Sequence, residues 1–261
     1  MKNKSYTKGI LVVATAVLFF FSGCGVKDTT QFGQLGLRLY PQIDTNAVTA
    51  LSQLYPDHNG RLMAINDARF YISGLSLQNA GGAWYSVPHA LLLKISENLN
   101  YTITGVVPSG TYTGIRFYVG LDSATNAVNP ASDSSATNQD SVLSSTLEPG
   151  MYFGAGQGFK FFYLSGFILP SGSHSPVPVN YQIGGNANRQ LVTLSNLNFT
   201  VQAGRVHFAS ILCDYGKLFE GITIAPGNND NGNSFGSSPQ MNTATLVADS
   251  IPGMFTYAPN Q

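Results

Sequence analysis

Leu35, Leu37 and Leu39 alternate with Gly36, Arg38 and Tyr40, and the same two-residue period returns at Ile115, Phe117 and Val119, soon after the turn Pro108-Ser109-Gly110. Successive side chains of a strand point to opposite faces, so each such segment has one face to bury and one that can meet water. Further runs of strand length, rich in β-branched and aromatic residues, cover residues 69–77, 84–95, 160–169, 177–183, 197–201 and 206–212. Sustained helical periodicity is missing. A sheet that is apolar on one face hides that face most simply against a second sheet. The pattern therefore predicts an all-β fold: an antiparallel β-sandwich, a single domain with long surface loops.

Two stretches break the rhythm. Residues 122–145 are rich in Ser, Asn, Asp and Ala and read as a long surface loop. Residues 227–239 are richer still in Gly, Asn and Ser, and read as an excursion rather than a domain linker, because the apolar segment 246–255 follows and needs somewhere to pack.

At the other end, Lys2, Lys4 and Lys8 precede or flank an uncharged stretch, residues 9–21, that is too short to span a bilayer comfortably. It reads as a signal peptide ending at residue 23. Phe21-Ser22-Gly23-Cys24 places small residues ahead of a cysteine, as a lipoprotein signal peptidase requires, so Cys24 is the expected lipidation site; an ordinary secretory peptide with an incidental cysteine is the alternative. Acyl chains contribute about 0.8 kcal/mol per buried methylene, so several of them hold a soluble domain at a membrane without a spanning helix. Residues 24–33 are then a tether and residues 34–258 the folded domain. Gly25 follows the cysteine, so a retention signal of the Asp type is absent. The expected address is the outer membrane, on its periplasmic face or at the cell surface. Cys213 is the one other cysteine, and it reads as a buried, inert thiol.

Lys+Arg and Asp+Glu balance at 13 each, and charged residues make up only 10% of the chain. Such a surface lacks the basic footprint of a nucleic-acid binder. A nucleophile elbow, a phosphate loop, a zinc-protease helix and a dinucleotide fingerprint are all absent from the sequence. The glycine-rich run Gly154-Ala155-Gly156-Gln157-Gly158 lacks the Lys of a phosphate loop and leads into a strand, so a close turn is the better reading. Asp122, Asn126, Asp133 and Asp140 place oxygen donors on one loop, as a calcium site would, without the spacing of the EF-hand; solvated loop residues are the plainer reading. His58, His89, His174 and His207 are spread through the chain without ligand spacing. The expectation is a protein that is not an enzyme.

A resemblance adds to this. Phe70-Tyr71-Ile72-Ser73, Ser109-Gly110-Thr111-Tyr112-Thr113-Gly114-Ile115-Arg116-Phe117-Tyr118-Val119-Gly120, Leu121-Asp122-Ser123-Ala124-Thr125-Asn126, Met151-Tyr152-Phe153 with Gly158-Phe159, Ile183-Gly184-Gly185, and Ala248-Asp249-Ser250-Ile251-Pro252-Gly253-Met254-Phe255 follow one another in an order similar to that of the methanobactin-associated periplasmic proteins, the MbnP-like copper-binding family, in its bacterial lipoprotein branch. The resemblance implies a β-sandwich. It also implies that some members bind copper through histidines and a tryptophan that a partner di-haem oxidase converts to kynurenine. Here the two tryptophan positions hold Phe153 and Ala155, and the expected histidines are replaced by Gln182 and Asn242. Only His89, ahead of Leu91-Leu92-Leu93, stands near a family histidine, so it is the metal ligand the resemblance implies, with copper as the cofactor and Met151, Met241 or a second histidine to complete the site. The sole tryptophan, Trp84, reads as a packing residue. Two further readings stay open: a structural or adhesive surface lipoprotein that contacts a protein or glycan without metal, and a hydrolase whose site the sequence does not reveal.

Overall fold

The computed structural model describes residues 30–95, 101–130, 142–144, 148, 150–224 and 230–259. The leader, Cys24, most of the tether, Asp133 and Asp140 lie outside the described residues. Along the chain, β1 (Phe32–Ile43) turns through Asp44 into the short β2 (Asn46–Ala47), and β3 (Tyr55–Pro56) precedes the long β4 (Leu62–Asn79). Then come β5 (Trp84–Ser86), β6 (Leu91–Lys94), β7 (Tyr101–Pro108) and β8 (Gly110–Val119), which ends in the one-turn helix α1 (Ser123–Asn126). β9 (Tyr152–Gly154), β10 (Gly158–Leu169), β11 (Val177–Gly184), β12 (Gln190–Val201), β13 (Val206–Asp214) and β14 (Asp230–Asn233) follow, and α2 (Ser238–Ser250) and β15 (Phe255–Tyr257) close the chain.

These strands form two sheets. The smaller has the order β15-β13-β1, with β7 and β2 also on β1; the larger has the order β12-β8-β4-β10-β11-β14, with β3, β5 and β6 along the other edge of β4 and β9 on β10. The main core lies between them. Leu35, Leu37, Phe70, Phe117 and Phe162 are fully buried there, each from a position that the two-residue period assigns to the inner face. Pairing is mostly antiparallel, as expected for the sandwich. Two ladders are not: β1 runs parallel to β13 from Gln34↔Val206 to Gln42↔Asp214, and β11 runs parallel to β14. Neither pair is joined by a hairpin, so no tight turn dictates their direction.

The stretch 84–95, expected as one strand, is two. Pro88 has no N–H to give a ladder and His89 takes a positive φ of 84°, so the chain leaves β4 after β5 and rejoins it at β6. The first strand also begins at Phe32, inside the stretch assigned to the tether.

The larger difference is at the C-terminal end. The polar excursion 227–239 contains β14 and leads into α2, a helix that the apolar pattern of the sequence does not predict. Its start is written in Ser237-x-x-Gln240, where Gln240 Oε1 accepts the Ser237 N–H at 2.9 Å, and in Pro239 within the first turn. Its buried face is Ala244, Val247 and Ala248, at helical spacing but small in volume. Gly232 lets the helix approach, since a Cβ there would lie 2.8 Å from the Tyr181 ring and 3.1 Å from Ala244 N. Among the described residues no helix is long and apolar enough to cross a membrane.

A second, smaller core sits on the outer face of the larger sheet. Tyr71 lies between the inward Phe70 and Ile72, and it packs with Leu121, Met151, Phe159 and Phe161. Phe159 and Phe161 alternate with the inward Phe162 and Leu164 and so face outward, where the ladder of β10 with β11 slips between Lys160 and Phe162. β9 and residues 142–143 cover this cluster, and the Tyr71 hydroxyl donates to the Val142 carbonyl at 3.0 Å.

Candidate binding site

The site grows from an irregularity in β4. Its ladder with β8 slips between Ser73 and Ser76, and Gly74 takes a φ of 60° at the break, so the strand's outer face opens there. On one edge, the Val87 N–H reaches the Leu75 carbonyl at 2.8 Å and pins the link that carries Pro88, His89 and Ala90. On the other, β8 has just ended: the Gly120 N–H donates to the Tyr71 carbonyl at 2.9 Å, and Asp122 starts α1. Val142 and Leu143 close the remaining side. Between these segments lies a cavity of about 510 Å³ lined by Ser73, Gly74, Val87, Pro88, His89, Ala90, Asp122, Thr125, Val142 and Leu143.

Its polar groups differ in how far they are committed. The Ser73 hydroxyl donates to the Gly120 carbonyl at 2.6 Å and accepts from Arg189 Nη2 at 3.1 Å; the Arg189 guanidinium lies 3.7 Å over the Tyr118 ring. Asp122 is a helix cap: its Oδ1 accepts the N–H groups of Ala124 and Thr125 at 3.1 and 3.0 Å, and its Oδ2 accepts the Thr125 hydroxyl at 2.7 Å. The bond from the Thr125 hydroxyl is the main reason the Asp122 carboxyl is held below its usual range. His89 is exposed at the rim.

The capping role yields a prediction. Asp122→Ala should lower stability by about 1 kcal/mol, the ordinary cost of a lost cap. Because the folded carboxyl titrates below its unfolded value of 3.8, this stabilisation is complete above that value and is lost as the pH falls toward the folded one. Urea unfolding at pH 7 and at pH 3 should show the gap between wild type and Asp122→Asn narrowing at the acid end.

Asn126, grouped with Asp122 as a possible cation ligand, also has a structural task. Its Oδ1 accepts the Phe159 N–H at 2.8 Å, and Gly158, at a φ of 77°, passes so close that a Cβ would fall 2.3 Å from that oxygen. The glycine-rich run is the turn that makes this approach possible, with the Gln157 N–H on the Gly154 carbonyl at 3.1 Å.

The four histidines do not come together. His58 holds Asp44 through Nδ1 at 2.9 Å, and its backbone N–H also bonds that carboxylate. His174 is exposed in the turn between β10 and β11, at the same end of the fold, where a Cβ on Gly60 would sit 3.4 Å from Ser171 Oγ. His89 stands beside Gly74, far along β4 from Leu62, which separates it from that end by on the order of 35–40 Å at about 3.3 Å per residue. His207 stacks on Phe199 with ring centres 4.8 Å apart, and burial pushes its imidazole pKa down. Among the described residues no three His, Cys, Asp or Glu side chains gather as a metal site.

The positions that the resemblance points to are also apart. Phe153 packs edge-on to Phe235 at 4.9 Å, and Ala155 is exposed in the glycine-rich turn. Gln182 donates to Asn180 Oδ1 at 3.2 Å on the face of β11 opposite Tyr181, whereas α2, which carries Asn242, packs on the Tyr181 side. Sequence reasoning found His89 and Asp122. It missed Ser73, Thr125 and Arg189, for which the local signal was only the Ser-Gly break in a strand pattern.

A two-sheet sandwich whose loops close a cavity on an outer face is a β domain of the kind that carries its site on connections rather than on strands. The family model described as MbnP matches residues 32–236, and the chain belongs to that family. A solved structure described as MbnP from Methylosinus trichosporium shares the fold at a TM-score of 0.53 and 17% identity, over 79% of this chain and 83% of that one. No curated protein matches the chain.

Proposed function

We propose that the protein is an exported, non-enzymatic MbnP-like binding domain, held at the outer membrane by a lipid on Cys24, that takes a small ligand in the cavity beside His89. The cavity carries this reading. Its volume of about 510 Å³ falls within the ~300–1,000 Å³ of ordinary ligand pockets. Val87, Ala90, Val142 and Leu143 give its lining apolar surface, and Ser73, His89, Asp122 and Thr125 give it polar groups. A binding role suits the state of these groups better than catalysis. The one hydroxyl close to a cation, Ser73, already donates to a carbonyl, and the one carboxylate is a helix cap of depressed pKa, so a nucleophile paired with a base is not assembled.

Copper, the metal of the family, fits these residues poorly. It favours imidazole and sulfur donors, and the cavity supplies one exposed imidazole beside a committed carboxylate. Met151 is buried in the second core and Met241 is exposed on α2, away from the cavity lining. With Phe153 and Ala155 at the family's tryptophan positions, a di-haem oxidase would have nothing there to convert to kynurenine.

Native mass spectrometry of the full chain taken from membranes, beside a copper titration by calorimetry, tests both parts. The expected outcome is a one-to-one small-molecule adduct that weakens in His89→Ala and is lost in Ala90→Trp, with no saturable copper binding at one equivalent. An adduct indifferent to both substitutions would sink the cavity reading, and a one-equivalent copper isotherm abolished by His89→Ala would restore the metal.

A further inference from the structure

The outer face of the smaller sheet carries an unusual share of the molecule's exposed apolar side chains. Phe32 is 46% exposed, Ile103 43%, Val106 51% and Val206 44%. Single surface hydrophobics need no explanation, but these four share one face. Gln34 pairs with Val206 on one side and with Val106 on the other; two residues on, Gly36 pairs with Phe208 and with Ile103; Phe32 begins the strand that carries both. Leu35, Leu37 and Val107 point to the core, so all of these point outward. Gly36 is bare because the Phe208 ring covers it: a Cβ there would meet that ring at 2.5 Å. The charges around the patch are cationic. The Arg38 guanidinium lies 4.9 Å over the Phe208 ring, Arg205 is exposed beside Val206, and no acidic residue occurs in the paired rows from Phe32 to Arg38.

This patch is also the root of the chain that leads to Cys24. The Ser109 N–H donates to the Gln31 carbonyl at 2.7 Å, the Gly204 N–H to the Phe32 carbonyl at 2.8 Å, and the Gln34 N–H to the Arg205 carbonyl at 2.8 Å, so the point where the tether joins the fold is fixed on both sides. Seven residues lie between Cys24 and Phe32, and the steps from one to the other reach at most roughly 29 Å at ~3.6 Å each. An extended strand as long as β4 measures roughly 60 Å. A lipid on Cys24 thus confines this corner to within that reach of the membrane, a shorter distance than the length of the sandwich.

We propose that the outer face of the smaller sheet rests on the bilayer, with Phe32, Ile103, Val106 and Val206 entering the interfacial layer and Arg38 and Arg205 facing anionic headgroups. The proposal rests on the lipidation of Cys24. It turns the outer face of the larger sheet, with the His89 cavity, away from the membrane and toward the aqueous phase.

Trp84 provides an internal control, because it pairs with Gln78 on the outer face of the larger sheet, with the Arg116 guanidinium 4.1 Å over its ring. The full-length protein, with the mass of its N-terminal peptide measured first, is reconstituted into phosphatidylethanolamine–phosphatidylglycerol vesicles that contain brominated acyl chains. Phe32→Trp and Val106→Trp, each in a Trp84→Phe background, should show blue-shifted emission and strong quenching, and wild-type Trp84 neither. Ile103→Asp combined with Val106→Trp should lose the blue shift. With an acylated Cys24, quenching at positions 32 and 106 no greater than that of Trp84 overturns the proposal and leaves the lipid anchor standing. Shielding of position 106 that depends on protein concentration rather than on vesicles would assign the face to a second copy instead. An unmodified Cys24 overturns the anchor and the proposal together.

Discussion

Asp57→Ala is expected to destabilise the domain by about 3–5 kcal/mol, the cost of leaving one member of a buried ion pair behind. Asp57 and Arg61 are both buried, and Arg61 Nε donates to Asp57 Oδ2 at 2.6 Å. The same carboxylate accepts the N–H groups of Asn59 and Arg61 at 3.0 and 2.8 Å, and so shapes the turn between β3 and β4. The guanidinium reaches across to the Phe219 and Ile222 carbonyls at 3.4 Å, which ties that turn to the segment after β13. Without Asp57 the cation keeps those two distant carbonyls and loses its counter-charge. Typical domains are stable by only about 5–15 kcal/mol, so the loss is a large share of the whole. Replacing both partners with apolar residues of similar volume, Asp57→Leu with Arg61→Met, should cost far less than the single change. Urea unfolding of wild type and the two variants decides it, and a loss under about 1 kcal/mol in Asp57→Ala would contradict the reading.

Phe255→Ala should cost a similar amount, about 3–5 kcal/mol. Phe255 stands edge-on to Phe70 at 5.6 Å and to Phe117 at 5.3 Å, and so joins the adjacent strands β4 and β8 of the larger sheet from a strand of the smaller one. It lies beyond residue 236, where the match to the family model ends, yet it fills the middle of the core. Thermal unfolding of Phe255→Ala and Phe255→Leu would separate the volume lost from the ring geometry lost. A variant as stable as wild type would show that the C-terminal segment packs on the sandwich without supporting it.

Much of the core was legible because period-two alternation is a local property. Leu35, Leu37, Ile115, Phe117 and Val119 each declare their face within a few residues. The parallel pairing of β1 with β13 was not legible: the strands are distant in sequence, and nothing local marks which way a partner will run. Helix α2 escaped notice because it buries alanines and one valine, which leave a weak periodic signal, even though the capping residues Ser237 and Gln240 were in plain view. The cavity was legible only in part. Its position depends on a slipped ladder at Ser73–Ser76, and register is decided by pairing across the sheet rather than by the strand's own residues. Asp122 was noticed for its charge, while its actual partners, Ala124 and Thr125, were two and three residues away.

The way β1 is held has a mechanical consequence. Any force transmitted through the chain ahead of Gln31 enters the fold at Phe32, the first residue of a strand paired with β13 from Gln34 to Gln42 on one side and with β7 from Phe32 to Arg38 on the other. Pulled along its axis, such a strand cannot peel away one bond at a time; both ladders are loaded in shear together, and they must yield as a group. A domain moored by its first strand in this way transmits tension into its middle rather than fraying at its edge.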